Sequence, residues 1–228
     1  MRLSHGIAAV AAFLVMSLPG RSVRADSISI ATLYNTGVDN SHAVLADGTV
    51  GDPHYTLVST PGGTSAIRIR TSVGGFPIGP YLGDDSLSTW IGPNNDSSLD
   101  GPFGSYDYRT TFSLVGLNAA TASISGQWAT DNNGIDILLN GVSQGFTTPF
   151  QDFVFHTFTI SNGFLAGINT LDFVVNNGSN SDNPTALRVE MIGSAAAVPL
   201  PTTAWVGLIL FGGLGVVYGV RRKNFVIA

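Results

Sequence analysis

The residues that could carry chemistry lie in short polar clusters between stretches of alternating polarity. Aspartate and asparagine occur together at 84–85, 94–96, 131–133 and 182–183. Their oxygens are ligands that calcium accepts and groups that hydrogen-bond small polar ligands. None of the clusters has the spacing of an EF-hand loop. We therefore expect these side chains mainly to cap turns and predict no metal or cofactor, with calcium as an open alternative.

Aromatic residues beside such clusters could form a platform for a sugar ring, which needs an exposed face with polar neighbours. Trp128 shares strand parity with Ile124, and this indicates a core position. Trp90 stands in a region rich in Gly, Pro and Asp and is the better platform candidate. The candidate ligand-binding residues are Trp90, Asp131, Asn132 and Asn133.

No set of residues indicates catalysis. The motif G-x-S-x-G at 141–145 contains Ser143, but a nucleophile elbow needs a helix after the serine, and Pro149 opposes one. No histidine follows His156 to complete the order Ser, Asp, His. A glycosidase needs two positioned carboxylates, and the chain contains one glutamate with no aspartate pair singled out. We predict that the protein is not an enzyme; a glycan-active enzyme is the alternative.

Charge divides the chain into a body and two ends. Residues 26–197 hold all fifteen acidic side chains and only four arginines, without lysine, which gives this body a net charge of −11. Such a body repels phosphate, so we predict no nucleic-acid partner. The chain has no cysteine, which excludes a disulfide framework and thiolate metal sites.

The body has the period of two that is typical of strands. The chain has twenty-eight glycines, twenty-one of them in this body, and with many Asn, Ser and Thr residues they supply its turns. Asn133-Gly134 and Asn140-Gly141 are each predicted to form a type I′ hairpin turn. Residues 194–197 resemble a short spacer. We predict an all-β fold, a two-sheet sandwich, with strands at 27–33, 55–60, 66–71, 88–91, 106–114, 121–130, 135–139, 154–160, 171–175 and 187–191.

Both ends of the chain are apolar and bordered by basic residues. Residues 1–25 have the charged start, the thirteen-residue apolar core (6–18) and the small residues at 23 and 25 of a cleaved signal peptide. The uncharged run 202–220 would form a helix of about 28 Å, close to the thickness of a hydrocarbon core. Arg221, Arg222 and Lys223 follow it and should stay in the cytoplasm as a stop-transfer cluster.

The order of Val198-Pro199-Leu200-Pro201, an apolar helix and a basic cluster resembles the PEP-CTERM sorting tail of Gram-negative bacteria. Leu200 stands where that family usually has glutamate. The resemblance covers about thirty residues and implies an exosortase-like membrane enzyme that recognises the motif and cleaves nearby. Two prolines keep such a segment out of a helix, which suits entry into a protease cleft.

Two alternatives for the tail stay open. Leu200-Pro201-Thr202-Thr203-Ala204 resembles the L-P-x-T-G signal of Gram-positive sortases, with Ala204 in place of glycine. An uncleaved membrane anchor is the other. The three differ in the C-terminus of the mature protein.

The body has its own resemblance. Tyr108–Phe112, Asp131–Gly141 and Gly167–Phe173 are similar to the jelly-roll sugar-binding domain of glycoside hydrolase family 2 and to other galactose-binding-like folds. The shared residues are turn and core positions, so the resemblance implies the jelly-roll fold rather than a particular ligand.

The sequence thus predicts five parts: a signal peptide (1–25), a jelly-roll β-sandwich (26–194), a linker with the sorting motif (195–201), a single transmembrane helix (202–220) and a basic cytoplasmic tail (221–228). The expected protein is exported and held in the inner membrane before processing, and then belongs to the cell envelope or the extracellular matrix. Association with exopolysaccharide or another glycan is a hypothesis. A surface-coat protein without a ligand is the alternative of a different class.

Overall fold

The computed structural model of the chain describes residues 26–63, 67–70, 81–83, 85–93, 100–178 and 180–198, without the side chain of Arg70. The predicted signal peptide, Pro199, Leu200, Pro201, the apolar run 202–220 and the basic cluster 221–223 lie outside the described residues. Within the described ranges, no helix has the length and apolar character needed to cross a bilayer.

The described residues form strands and almost no helix, which confirms the all-β prediction. A short 3-10 turn lies at Ala119–Thr121. The strands are β1 (Ser27–Ser29), β2 (Tyr55–Ser59), β3 (Arg68–Arg70), β4 (Trp90–Gly92), β5 (Gly104–Ser113), β6 (Ser123–Asp131), β7 (Asn133–Leu139), β8 (Val142–Ser143), β9 (His156–Ile160), β10 (Ile168–Asn177) and β11 (Ala186–Ala196).

The strands are antiparallel and divide into two sheets. The first sheet has the order β3-β4-β11-β6-β9, and β1 pairs with the C-terminal end of β11. The second has the order β2-β5-β10-β7-β8. Its central pair, β5 and β10, is in continuous register from Ser113 opposite Ile168 to Gly104 opposite Asn177.

Alternate residues of both sheets point into one apolar core, as the period of two predicts. Trp128 of the first sheet contacts Phe173 of the second with ring centroids 5.9 Å apart, and Phe158 contacts the same ring at 6.0 Å. These contacts join the sheets face to face, as in a β-sandwich. The core includes Trp128 and Ile124, whose shared parity indicated core positions, together with Tyr106, Tyr108, Phe112, Leu114, Ala122, Ile137 and Leu139.

The prediction of a hairpin at Asn133-Gly134 is wrong. Both residues belong to β7, and the chain crosses there from the first sheet to the second. Packing decides the outcome, because Gly134 lies directly against the indole ring of Trp128. A Cβ atom on Gly134 would stand 2.6 Å from Cζ3 and 2.7 Å from Cζ2 of that ring, so the glycine provides space instead of turning the chain.

The second Asn-Gly pair behaves as predicted. Asn140 and Gly141 have φ values of 53° and 78° and connect β7 to β8 as a type I′ turn requires. Strand alternation alone would place Ile135 on the inward face with Ile137, but Ile135 is exposed. The consecutive residues Val174 and Val175 of β10 pair with Asp136 and Gly134, so Ile135 is the extra residue of a bulge in β7 and leaves the alternation.

The predicted spacer at 194–197 is also wrong. β11 continues to Ala196, and its last residues pair with Ser27, Ile28 and Ser29 of β1. Ala197 forms a bridge with Leu117, and the N–H of Val198 donates to the carbonyl of Gly116 at 3.0 Å. The small side chains at 195–197 therefore fit the packed end of a strand, and the folded body includes Val198, the first residue of the predicted sorting motif.

The contact between Gly134 and Trp128 can be tested by adding one methyl group. We expect Gly134→Ala to lower the free energy of unfolding by about 1–3 kcal/mol, because the new Cβ overpacks the core. Urea denaturation of residues 26–198 measures the change. Gly83→Ala is the matched control, since a Cβ there meets no atom within 4 Å; an equal loss in both variants would contradict the packing explanation.

Candidate functional site

The crossing from β6 to β7 brings four loop segments together at one end of the sandwich. We call residues 101–103, 131–133, 148–151 and 176–183, without the undescribed Ser179, the asparagine-rich end. The backbone joins them directly: Asn132 donates to the carbonyl of Asn176 at 3.3 Å, and Gln151 donates to the carbonyl of Asn132 at 2.9 Å. The predicted cluster at 131–133 therefore stands at the centre of a built surface.

Asn177 ties this end together from the inside. Its Nδ2 group donates to the carbonyls of Gly101 at 2.9 Å, Pro102 at 3.2 Å and Asn183 at 2.8 Å. The side chain is fully buried, so it fixes the two loops relative to each other and has no direct path to a ligand.

Asp131 and Asn132 have the same structural character. Both are almost completely buried, and their side chains bond to each other at 2.9 Å. The Tyr81 hydroxyl donates to Oδ2 of Asp131, and Thr185 Oγ1 donates to the Asp131 carbonyl at 2.7 Å. Their burial removes these two predicted ligand-binding residues from the surface and makes them supports of the corner.

Asn133 is the member of the cluster that reaches the surface. It is half-buried, and its Oδ1 accepts a hydrogen bond of 3.3 Å from Nδ2 of Asn176. Two amide groups are thus held side by side where β7 begins and β10 ends, and a polar ligand could reach them there.

Two phenylalanines flank the same surface. Phe103 and Phe150 are 55% and 50% exposed, which is unusual for such large apolar side chains. The N–H of Phe103 donates to Oδ1 of Asp182 at 3.3 Å. Phe150 lies against Gly178, where a Cβ would stand 2.8 Å from its ring. Sequence analysis missed both, although each follows a proline in a polar turn, the one signal that could have marked it.

Trp90 does not provide the predicted platform, because no part of its ring is exposed. Its Nε1 donates to the carbonyl of Leu82 at 3.0 Å, and its ring meets that of Tyr81 edge-on at 5.1 Å. It belongs to a second, smaller core on the outside of the first sheet, together with Tyr81, Ala129, Phe153 and Ala186.

A buried arginine explains why this outer core exists. Arg188 of β11 is completely buried and donates to the carbonyl of Gly83 at 2.6 Å and to Oγ of Ser88 at 2.7 Å. It also forms ion pairs with Asp85 at 2.7 Å and Glu190 at 3.3 Å. These bonds hold the residues before β4 across the sheet, and the segment covers Trp90.

The same face of the first sheet carries a shallow groove. Two adjoining hollows of about 380 Å³ each share Asn35, Leu87, Met191 and Ile192. The carboxylate of Glu190 borders one of them, but its oxygens already accept bonds from Gln127 at 2.8 Å and Ser88 at 2.8 Å. Glu190 therefore has little capacity left to accept a hydrogen bond from a ligand in the groove.

The outer face of the second sheet carries a carboxyl group with a raised pKa. Arg109 forms a two-point ion pair with Asp172, with Nε–Oδ1 at 2.5 Å and Nη2–Oδ2 at 2.9 Å. Asp107 lies on the same face, and its pKa rises from 3.8 to about 6 because burial and the charge of Asp172 disfavour its ionised form, while Arg109 partly offsets them.

The remaining chemical candidates have no supporting geometry. Ser143 is exposed at the end of β8, directly after a hairpin turn and not before a helix. Across the described part of the chain, no group of three or more His, Asp or Glu side chains is placed to hold a metal ion. Calcium binding thus stays the open alternative, and the described residues provide no group of carboxylates to support it.

The comparisons with known proteins do not assign a family. No protein-family model matches the chain, and no curated protein matches it. The structure is similar to that of a GH26-CBM35 β-(1,4)-mannanase from Podospora anserina, with a TM-score of 0.32 and 17% identity. The match covers 68% of this chain and 29% of the mannanase, and a similarity of this size does not identify a ligand.

The raised pKa of Asp107 makes stability depend on pH. The folded chain holds this proton more tightly than the unfolded chain, so stability should fall as pH rises from about 4 to above 6. We expect Asp107→Asn to raise the free energy of unfolding by about 1 kcal/mol near neutral pH, after allowance for solvent screening, and to have little effect near pH 4.

Urea denaturation of residues 26–198 at several pH values measures this difference. Ser105→Ala, an exposed change on the same strand, is the control and should shift stability equally at every pH. A stability difference for Asp107→Asn that does not vary with pH would contradict the assignment.

Proposed function

We propose that this chain is an exported, non-enzymatic protein of the cell envelope or extracellular matrix that binds a glycan at its asparagine-rich end. The observation that carries the binding role is the pair of exposed rings, Phe103 and Phe150, beside the amides of Asn133 and Asn176. An apolar ring face with adjacent hydrogen-bonding groups suits a sugar, which has one apolar face and a rim of hydroxyls.

Charge narrows the class of glycan. The body carries a net charge of −11, and Asp182 lies beside Phe103 at the proposed site. A polyanionic polysaccharide would be repelled. The ligand is therefore a neutral polysaccharide or a neutral segment of an exopolysaccharide.

The strand order supports a jelly-roll architecture for the body. Four strands of each sheet follow the orders β4-β11-β6-β9 and β5-β10-β7-β8, so the chain passes from one sheet to the other at nearly every connection. This alternation is expected of a jelly roll, which many lectin domains share, but the fold alone does not select a ligand.

The sorting role is supported by how closely the motif follows the folded body. Val198, the first residue of the motif Val198–Pro201, is itself hydrogen-bonded to Gly116, so the motif begins at a residue that belongs to the body. An exosortase-like enzyme at the membrane is the proposed partner, and the apolar run 202–220 with Arg221, Arg222 and Lys223 is the proposed transient anchor. Sortase processing or an uncleaved anchor are the competing fates of this tail.

The termini of the mature protein test the sorting proposal. Mass spectrometry of the protein from its native envelope should find an N-terminus at Asp26 and a C-terminus upstream of Thr202. A protein that ends at Ala228 would rule out processing and leave the anchor. A cytosolic protein with both ends intact would contradict export altogether.

The glycan proposal is tested by binding to a panel of neutral and acidic polysaccharides. Residues 26–198 should bind a neutral member, and Phe103→Ala or Phe150→Ala should weaken binding by about tenfold, as expected for the loss of one aromatic contact. Val115→Ala, a change of an exposed apolar residue at the opposite end, should leave binding unchanged.

Absence of binding across the panel would contradict the glycan proposal and favour the surface-coat alternative. Release of shortened sugars from any member would instead favour a glycan-active enzyme.

A further inference from the structure

The end of the sandwich opposite the asparagine-rich end has no charged residues in its loops. We call residues 114–122, 140–142, 161–168 and 196–198 the tail end. They contain no Asp, Glu, Lys, Arg or His, although the body as a whole is strongly acidic. Asp26, directly before β1, is the charged residue beside them, since β1 pairs with Ala196.

These loops are in contact with one another. The N–H of Leu114 donates to the carbonyl of Gly167 at 2.7 Å, and Val198 donates to Gly116 at 3.0 Å. Asn140 Nδ2 donates to the carbonyl of Gly163 at 3.1 Å. The ends of β5, β7 and β11 and the start of β10 therefore meet at a single surface.

This surface exposes aliphatic side chains. Val115 and Ile168 are 76% and 63% exposed, and Val142, Leu165 and Val198 are each more than half exposed. Single exposed aliphatic residues are ordinary, but a group of them on one uncharged surface marks an interaction site.

The chain itself indicates what covers the surface. Only Pro199, Leu200 and Pro201 separate Val198 from the apolar run that starts at Thr202. Three residues at full extension reach about 10 Å, and the headgroup layer on one side of a bilayer is about 5–8 Å thick. So short a tether therefore holds this end of the body within a few ångströms of the headgroups.

We propose that the tail end rests on the lipid headgroups while the chain is anchored, with Val115, Val142, Leu165 and Ile168 inserted into the interface. This inference depends on the proposed membrane tail. Lipid is the favoured occupant because the tether fixes this end beside the bilayer and because apolar, uncharged surface enters the interface without electrostatic repulsion.

The absence of cysteine allows a direct test on the full-length chain in phosphatidylcholine nanodiscs. Val115→Cys and Ile168→Cys introduce thiols at the tail end, and Phe103→Cys introduces a comparably exposed thiol at the opposite end. A charged, membrane-impermeant maleimide reports access from water, with each rate divided by the rate for the same variant unfolded in urea.

The thiols at 115 and 168 should react severalfold more slowly than the thiol at 103. Equal rates in an incorporated chain would overturn the membrane contact and leave the sorting tail intact. A chain that does not enter nanodiscs would overturn both proposals. Protection found only in discs with two protein copies would assign the surface to a second copy of the chain and would likewise overturn the lipid contact.

Discussion

The packing of Trp128 against Gly134 determines how the two sheets are connected. The indole ring fills the space between the sheets where the chain turns from β6 into β7, and a side chain at 134 would overlap it. The chain therefore changes sheet at Asp131–Asn133 and does not fold back as a hairpin. This crossing brings 101–103, 148–151 and 176–183 to the same end, so the proposed binding surface is a consequence of core packing.

Polar residues inside the molecule serve this arrangement. Arg188 holds the segment before β4 over the first sheet, and Asn177 binds two loops of the asparagine-rich end. Each satisfies several backbone or side-chain groups that would otherwise be buried without partners. Polar clusters that resemble ligand sites in the sequence are thus partly supports, and the groups left for recognition are their half-exposed neighbours.

Local patterns were sufficient to predict the strands, because alternation records which side chains enter the core. The two Asn-Gly pairs show the limit of such patterns. Their turn chemistry is identical, yet one makes a hairpin and the other lies within a strand, since the neighbour of Gly134 is Trp128 from a different strand.

The burial of Trp90 depends on Arg188, ninety-eight positions later in the chain, and is beyond any local pattern. Phe103 and Phe150 were missed because exposure, not residue type, distinguishes them from core aromatics.

The position of β11 has a mechanical consequence. It is the central strand of the first sheet, and it runs from the asparagine-rich end to Ala196, two residues before Val198. A pull between a bound polysaccharide and an attachment point at the C-terminus would act along this strand. Its hydrogen bonds to β6 lie across that direction, so they would bear the load together in shear and would not open one after another. The first sheet is thus suited to carry force from one end of the sandwich to the other.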